Sequence, residues 1–536
     1  MTRLDLQLGS RGPFTPDWRA LSLGLVTCAL AVVASLQAAD QSLTTLLGAL
    51  GFSLVCGWLF VTEKYHYALL ALMLYVALAD GFLRLATGHS ELTLVRNLLL
   101  FCLVAGVVFR HLLRGGRIVL PPLSGWVLAF VAAALVQLFN PDSGTLLHSL
   151  AGLRQHLEWV PLFFFGYAVM RTTKRLRVFM LVLCIVTAVN GVVSYIQFQL
   201  PPAELTEWGA GYKERVIGTG DTVSRTFVDS GGVLRNRPTA LGSDMGFGGI
   251  LGLVAVPAAF ALIGLRTRHW RYALAAIPLS VGVFVAVATS QARVAVIGAG
   301  LGLLAFLLLA AFARRSMTAV MSVLAVAAIA FVVAVQLFED VDEGLFERYK
   351  QINITPSGLI TETFAYREDT LELLPKYMAD YPLGAGLGSE GPASTQPGGG
   401  PNARRLAGET QPSFLLLELG IPGLVIFLGL AGVLLARSLL AIPRLEDPEA
   451  RILLSALVAG MIALLASGAV GAMTTAPPGA PFFWFAAGTL AYWTARAATA
   501  DRDRLSSSRL GPISPGHYVA AADSNGDRPV STPSTR

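Results

Sequence analysis

The residues best suited to chemistry lie between Thr361 and Gly423. There the chain carries Arg367, then the alternating Gly384, Gly386 and Gly388 behind Pro382-Leu383, then Glu409, and nine residues later Glu418 with Gly420 and Gly423. A guanidinium stays charged at any working pH and grips phosphate or carboxylate oxygens through paired hydrogen bonds. A carboxylate partly withdrawn from water, as Glu409 would be just before an apolar run, suits general-base work. Glu418 lies among leucines, and intramembrane carboxylates are functional candidates because they are costly. Two roles are open to it: capping the Gly-rich backbone, or orienting a substrate and Glu409. Arg367 also has two: gripping an anion, or pairing with Glu362, Glu368 or Glu372 on a solvated helix face. Arg235 and Arg237 close a polar loop directly before an apolar stretch, where they bind an anion or anchor the helix at the headgroups. Arg293 follows Thr289-Ser290-Gln291-Ala292 at the head of another apolar run, where it must reach water, a phosphate or a carboxylate.

The elements that position these residues follow from composition. A chain of 536 residues that is 54% hydrophobic and only 14% charged is not a soluble domain. Apolar stretches near 20–39, 43–61, 67–87, 94–112, 120–139, 155–170, 178–198, 241–264, 272–289, 294–313, 318–338, 413–436, 452–471 and 480–495 predict about fourteen helices across a ~30 Å hydrocarbon core. The expected class is therefore an all-α polytopic integral membrane protein. In an alternating count the short basic connections, such as Arg171 to Arg177 and Arg437 to Arg451, all fall on one side. Lysine and arginine placement sets orientation, so that side and both termini are expected in the cytoplasm. The division is then a cytoplasmic segment 1–19, N-terminal spans over 20–198, an outer loop 199–240, central spans over 241–338, a long outer loop 339–412, C-terminal spans over 413–495 and a disordered cytoplasmic tail 496–536. Phe364, Leu371 and Leu374 recur at helical spacing among charges, predicting an amphipathic helix over 362–379 in the long outer loop.

Other polar residues read blandly. Cys28, Cys56, Cys102 and Cys184 all fall in apolar stretches and behave as small buried hydrophobes. The acidic run Glu339 to Glu343 contains Asp-x-Asp but reads as a solvated helix end, so no metal is expected. His89, His148 and His156 fall on the outer side, with headgroup or solvent contact as the expectation. Asp80 and Arg84, four apart on one span, are spaced to pair with each other. Arg154, His156 and Glu158 open the sixth span with no role assigned beyond lipid-phosphate contact.

The order of the parts carries a resemblance. An Arg-bearing helix, the Pro-Leu-Gly-x-Gly-x-Gly turn from Pro382 to Gly388, and a polar residue nine positions before the Glu-x-Gly-x-x-Gly start at Glu418 resemble the O-antigen ligase and polymerase superfamily. Many members carry His-Asn where this chain has Glu409-Thr410, and an adjacent Ser-Arg where two residues here separate Ser290 from Arg293. The resemblance implies a bacterial plasma-membrane glycosyltransferase of surface polysaccharide assembly. It would move a glycan from a polyprenyl-diphosphate carrier to a hydroxyl on a glycan, lipid or protein acceptor, with inversion and without metal or other cofactor. Arg293 and Arg367, with Arg237 and Arg235, would hold the diphosphate. Glu409 would be the base, and Gly384, Gly386 and Gly388 would shape the turn beneath the substrate. The expected partners are the bilayer and other members of a polysaccharide assembly system, with no nucleic acid. A glycolipid flippase or transporter is the alternative, and a structural envelope partner the third.

Overall fold

A computed structural model describes residues 43–114, 120–218, 225–229, 231–244, 246–265, 269–313, 372–394, 398–399 and 410–509. The expected spans at 20–39 and 318–338, the segment 1–19, the acidic run 339–343, Cys28, Arg367, Glu409 and the tail from 510 lie outside the described residues. The described chain is predominantly helical: α1 (Leu43–Val61), α2 (Tyr65–Thr87), α3 (Thr93–Leu113), α4 (Ser124–Val136), α5 (Leu146–Leu157), α6 (Pro161–Val169), α7 (Thr173–Gln199), α8 (Pro202–Thr206) and α9 (Ala210–Ile217). After a hairpin of β1 (Thr226–Val228) and β2 (Leu234–Asn236) come α10 (Phe247–Gly264), α11 (Trp270–Thr289), α12 (Arg293–Ala313), α13 (Leu374–Asp380), α14 (Gln411–Ala441), α15 (Pro448–Ser467) and α16 (Gly479–Arg509).

Among the described residues eight helices are long and apolar enough to cross a membrane. With no water in the hydrocarbon, only a segment that satisfies its own backbone can span, which is why these apolar runs fold as helices. The protein is thus an α-helical membrane protein. Helices α10 and α15, with 78% and 72% of their spanning windows buried, form the centre, whereas α3, at 28%, keeps most of its surface outward. The small residues set how closely helices approach: a Cβ on Gly166 of α6 would stand 2.1 Å from the Phe485 carbonyl, and one on Gly488 of α16 would stand 1.8 Å from the Phe163 carbonyl.

Three sequence expectations change. The single span at 155–170 is two pieces, because the short α5 ends at Leu157 and Pro161 opens α6 after a three-residue turn. The segment 199–240 is not merely a loop, since it holds α8, α9 and the hairpin, in which Phe227 faces Arg235. The end of the chain stays helical to Arg509 rather than becoming irregular at 496. Of the expected amphipathic helix, the described portion forms α13, which buries Tyr377 beside Leu416 and Leu417 of α14.

Candidate functional site

The glycine-rich segment after α13 is a fixed turn inside the helical bundle. Gly384, Gly386 and Gly388 take φ of 95°, 97° and 77°, left-handed values that disfavour any side chain. The space is closed as well. A Cβ on Gly386 would lie 2.6 Å from the Ser143 amide, and one on Gly388 would lie 2.3 Å from His148 Nε2. Non-helical backbone buried within a protein needs partners there for its polar groups. Here Asn140 Nδ2 donates to the Gly384 carbonyl at 3.1 Å, and the Leu387 amide donates to Ser143 Oγ at 2.9 Å. Gln137 reaches the Leu383 carbonyl, and His148 Nε2 donates to the Gly388 carbonyl at 3.0 Å. Because that carbonyl only accepts, His148 carries its proton on Nε2.

Glu418 holds the other side of the turn. Its Oε1 accepts from the amides of Gly388 at 3.1 Å and Glu390 at 3.2 Å, while Oε2 lies 2.7 Å from His156 Nε2. The carboxylate is fully buried. An unpartnered carboxylate in such a place would be very costly, so these donors are what allow it. His156 is wedged by Phe414, 5.0 Å away between ring centroids, and by the edge of Phe130 at 6.3 Å. Of the two roles open to Glu418, its contacts describe the capping of Gly-rich backbone.

Two residues beyond Glu418 the helix breaks. Gly420 has φ 69° and ψ −173°, dividing α14 into an initial and a longer second part. The turn fills the break: the Ala385 amide donates to the Leu417 carbonyl at 2.6 Å and the Ile421 amide to the Pro382 carbonyl at 2.9 Å. At its start α14 is closed by a reciprocal cap between Thr410 and Ser413, and Gln411 N donates to the Gly468 carbonyl at the end of α15 at 2.8 Å. Glu409 is the next residue back in the sequence.

The arginines gather at helix ends. Arg293 begins α12 after Gln291, whose φ is 53°. The neighbouring Ala292 Cβ faces Gly246 at the head of α10, and Gly298, further along α12, faces Ser467 at the end of α15. The end of α15 therefore lies between the first turns of α12 and the start of α14. Arg237 enters the same region through backbone: its amide donates to the Arg225 carbonyl, whose own amide donates to the Arg215 carbonyl, each at 2.9 Å. Arg215 pairs with Asp244 at 3.1 Å and Arg84 donates to Ser243 Oγ at 3.2 Å, so basic groups border the segment leading into α10. Arg235 is drawn away, to Asp229 at 3.0 Å and over the Phe198 ring at 5.6 Å. The Val233 amide and, after it, Arg235 hold the Asp229 carboxyl below its usual range.

Sequence reasoning missed the histidines. His148 and His156 are buried rather than at headgroups or solvent, because α5 carries them against the glycine turn. A Cβ on Gly152, midway between them, would lie 2.4 Å from the Gly388 amide. His-x3-Gly-x3-His was the readable signal, since residues four apart share a helix face. Asp80 also pairs elsewhere than expected. It meets Arg96 at 2.9 Å, and Arg96 meets Glu158 at 2.8 Å, over the face of Trp159. A π-helical turn over Val76–Asp80 alters the helix register there, and the buried guanidinium from α3 outcompetes the more exposed Arg84.

Fold and site together define an α-helical membrane protein with a preorganised glycine turn set into a broken helix. No protein-family model, no curated protein and no solved structure matches the chain.

Proposed function

We propose that this protein is a glycosyltransferase of the O-antigen ligase and polymerase kind in a bacterial plasma membrane, with about fourteen spans, both termini cytoplasmic, and the 199–240 and 339–412 segments facing outward. The observation that supports it most is the Pro382–Gly388 turn seated in the Gly420 break and held by Glu418. A rigid turn costing no reorganisation suits a site whose work is positioning and charge stabilisation. In the reaction, an acceptor hydroxyl gives its proton to Glu409 as its oxygen bonds to the anomeric carbon from the face opposite the leaving group. The bond from that carbon to the carrier's phosphate oxygen breaks, and the diphosphate departs with the electron pair. Arg293, Arg367 and Arg237 take up the charge that develops on it, with no metal.

The test is transfer by purified protein from a labelled polyprenyl-diphosphate glycan. Arg293→Ala, Arg367→Ala and Glu409→Ala should each abolish the new glycosidic bond while leaving the protein folded, and wild-type product from any of them would remove that residue from the mechanism. The break at Gly420 favours a second reading, since transporters place substrates at discontinuous helices. Movement of labelled glycolipid across vesicles without a new glycosidic bond would establish that reading instead.

A further inference from the structure

At the end of α7 opposite the hairpin, helices α6, α7 and α16 bring guanidinium groups and aromatic rings together. The patch lies at the start of α7, about 40 Å along that helix from its junction with the hairpin at ~1.5 Å per residue. Arg171 lies between two phenol rings, 5.8 Å from Tyr167 and 5.6 Å from Tyr492. Arg496, one turn beyond Tyr492, lies 5.1 Å from the Trp493 ring, whose indole N–H donates to the Met170 carbonyl at 2.8 Å. Arg175 donates to the Val169 carbonyl at 2.8 Å, and it and Arg171 both act electrostatically on Tyr65 at the head of α2, next to Lys64.

The chemistry points to a phosphate. Stacking on a ring fixes a guanidinium plane, and N–H groups not used within the protein can form paired bonds with oxyanions; Arg171 Nε already donates to the Tyr167 carbonyl at 3.5 Å. Lys174, Arg175 and Arg496 are exposed. Among the described side chains, Glu449 pairs with Arg177 and His269, and Glu63 with Arg114. The surface that α7 presents beyond these charges suits a lipid better than a free ion. Val178, Ile185, Val189 and Val192 are exposed, and with Val182 they continue the face of Arg175 at helical spacing. That apolar stripe leads from the charges into the bilayer, as acyl chains would run, and tyrosine and tryptophan mark the headgroup level.

We propose that the patch formed by Arg171, Lys174, Arg175 and Arg496 is a binding site for one anionic phospholipid, with its phosphate on the guanidinium edges and its chains along the α7 stripe. This does not depend on the proposed reaction.

Native mass spectrometry of the full chain in detergent tests it, with phosphatidylglycerol, phosphatidylcholine and inorganic phosphate as probes. Wild type should retain one phosphatidylglycerol in preference to phosphatidylcholine. Arg175→Gln with Arg496→Gln should weaken the anionic adduct roughly thirtyfold, at about fivefold per basic group. Arg437→Gln removes an exposed charge from α14 outside the patch and should leave the adduct intact. Equal retention of the two lipids by wild type, retention of phosphatidylglycerol by the double variant, or displacement by millimolar phosphate would each overturn the proposal. If the double variant fails to fold, the wild-type lipid preference and phosphate competition decide alone.

Discussion

Replacing Glu418 by leucine tests whether the glycine turn is held from below. The carboxylate accepts from two backbone amides, Gly388 and Glu390, and meets the His156 ring, all in a buried setting. Leucine removes every acceptor and offers no route to water. Each orphaned buried donor costs about 1–3 kcal/mol, so the two amides alone weaken the turn by about 2–6 kcal/mol. At about 1.36 kcal/mol per tenfold, amide exchange at Gly388 and Glu390 should speed up at least ~30-fold. Glu418→Gln is the informative partner. Its carbonyl can still accept from both amides, and its NH2 can donate to His156 once the imidazole proton moves to Nδ1, an atom with no partner in the native pocket. The two turn amides then keep their acceptor, the orphaned donors being His156 Nδ1–H and the second amide N–H, so the loss at the turn should be smaller than with leucine. The assay is hydrogen exchange measured by mass spectrometry on peptides covering 383–391, in detergent at fixed pH. Unchanged protection in Glu418→Leu would refute the argument, and equal damage from leucine and glutamine would show that charge, not acceptor geometry, is what matters.

Other outcomes rest on the same kinds of contact. Gly388→Ala must place its Cβ 2.3 Å from His148 Nε2 at a φ of 77°, so it should lower thermal stability in detergent by several degrees and abolish transfer, whereas Gly432→Ala, whose Cβ meets open space, should do neither. Arg96→Ala strands two buried carboxylates and should cost about 3–5 kcal/mol, while Arg84→Gln, which loses a bond only to Ser243 Oγ, should cost about 1 kcal/mol or less. The reverse ranking in unfolding experiments would reinstate an Asp80–Arg84 pair. At Asp229 the folded carboxyl is held below its unfolded value by the Val233 amide and then by Arg235. Its contribution to the hairpin is therefore present above about pH 4, the unfolded value, and lost as pH falls through the lower folded one. Exchange at Val233 should rise along that limb in wild type, and Asp229→Asn should flatten the rise.

Much of the fold was legible because hydropathy belongs to one segment at a time. The expected spans over 178–198, 272–289 and 294–313 match α7, α11 and α12 within a few residues. Wherever two segments had to be matched, the sequence underspecified the answer. One span at 155–170 became two helices because Pro161 permits either a kink or a fresh start, and the sequence alone does not choose between them. His148 and His156 looked like surface residues because α5 is too short and polar to read as buried by itself.

The Gly420 break interrupts the expected 413–436 span and goes with the turn that fills it, whereas the turn at Gly384, Gly386 and Gly388 was marked by the sequence alone, since a left-handed backbone favours glycine. So was membrane residence, which requires only apolar length. What encloses the turn was decided by the tertiary structure: His156 meets Glu418 across 262 residues of chain and Asp80 chooses Arg96 over Arg84. A buried charge takes the partner that folding brings to it in a site without water, and spacing along one helix says nothing about which neighbour that will be.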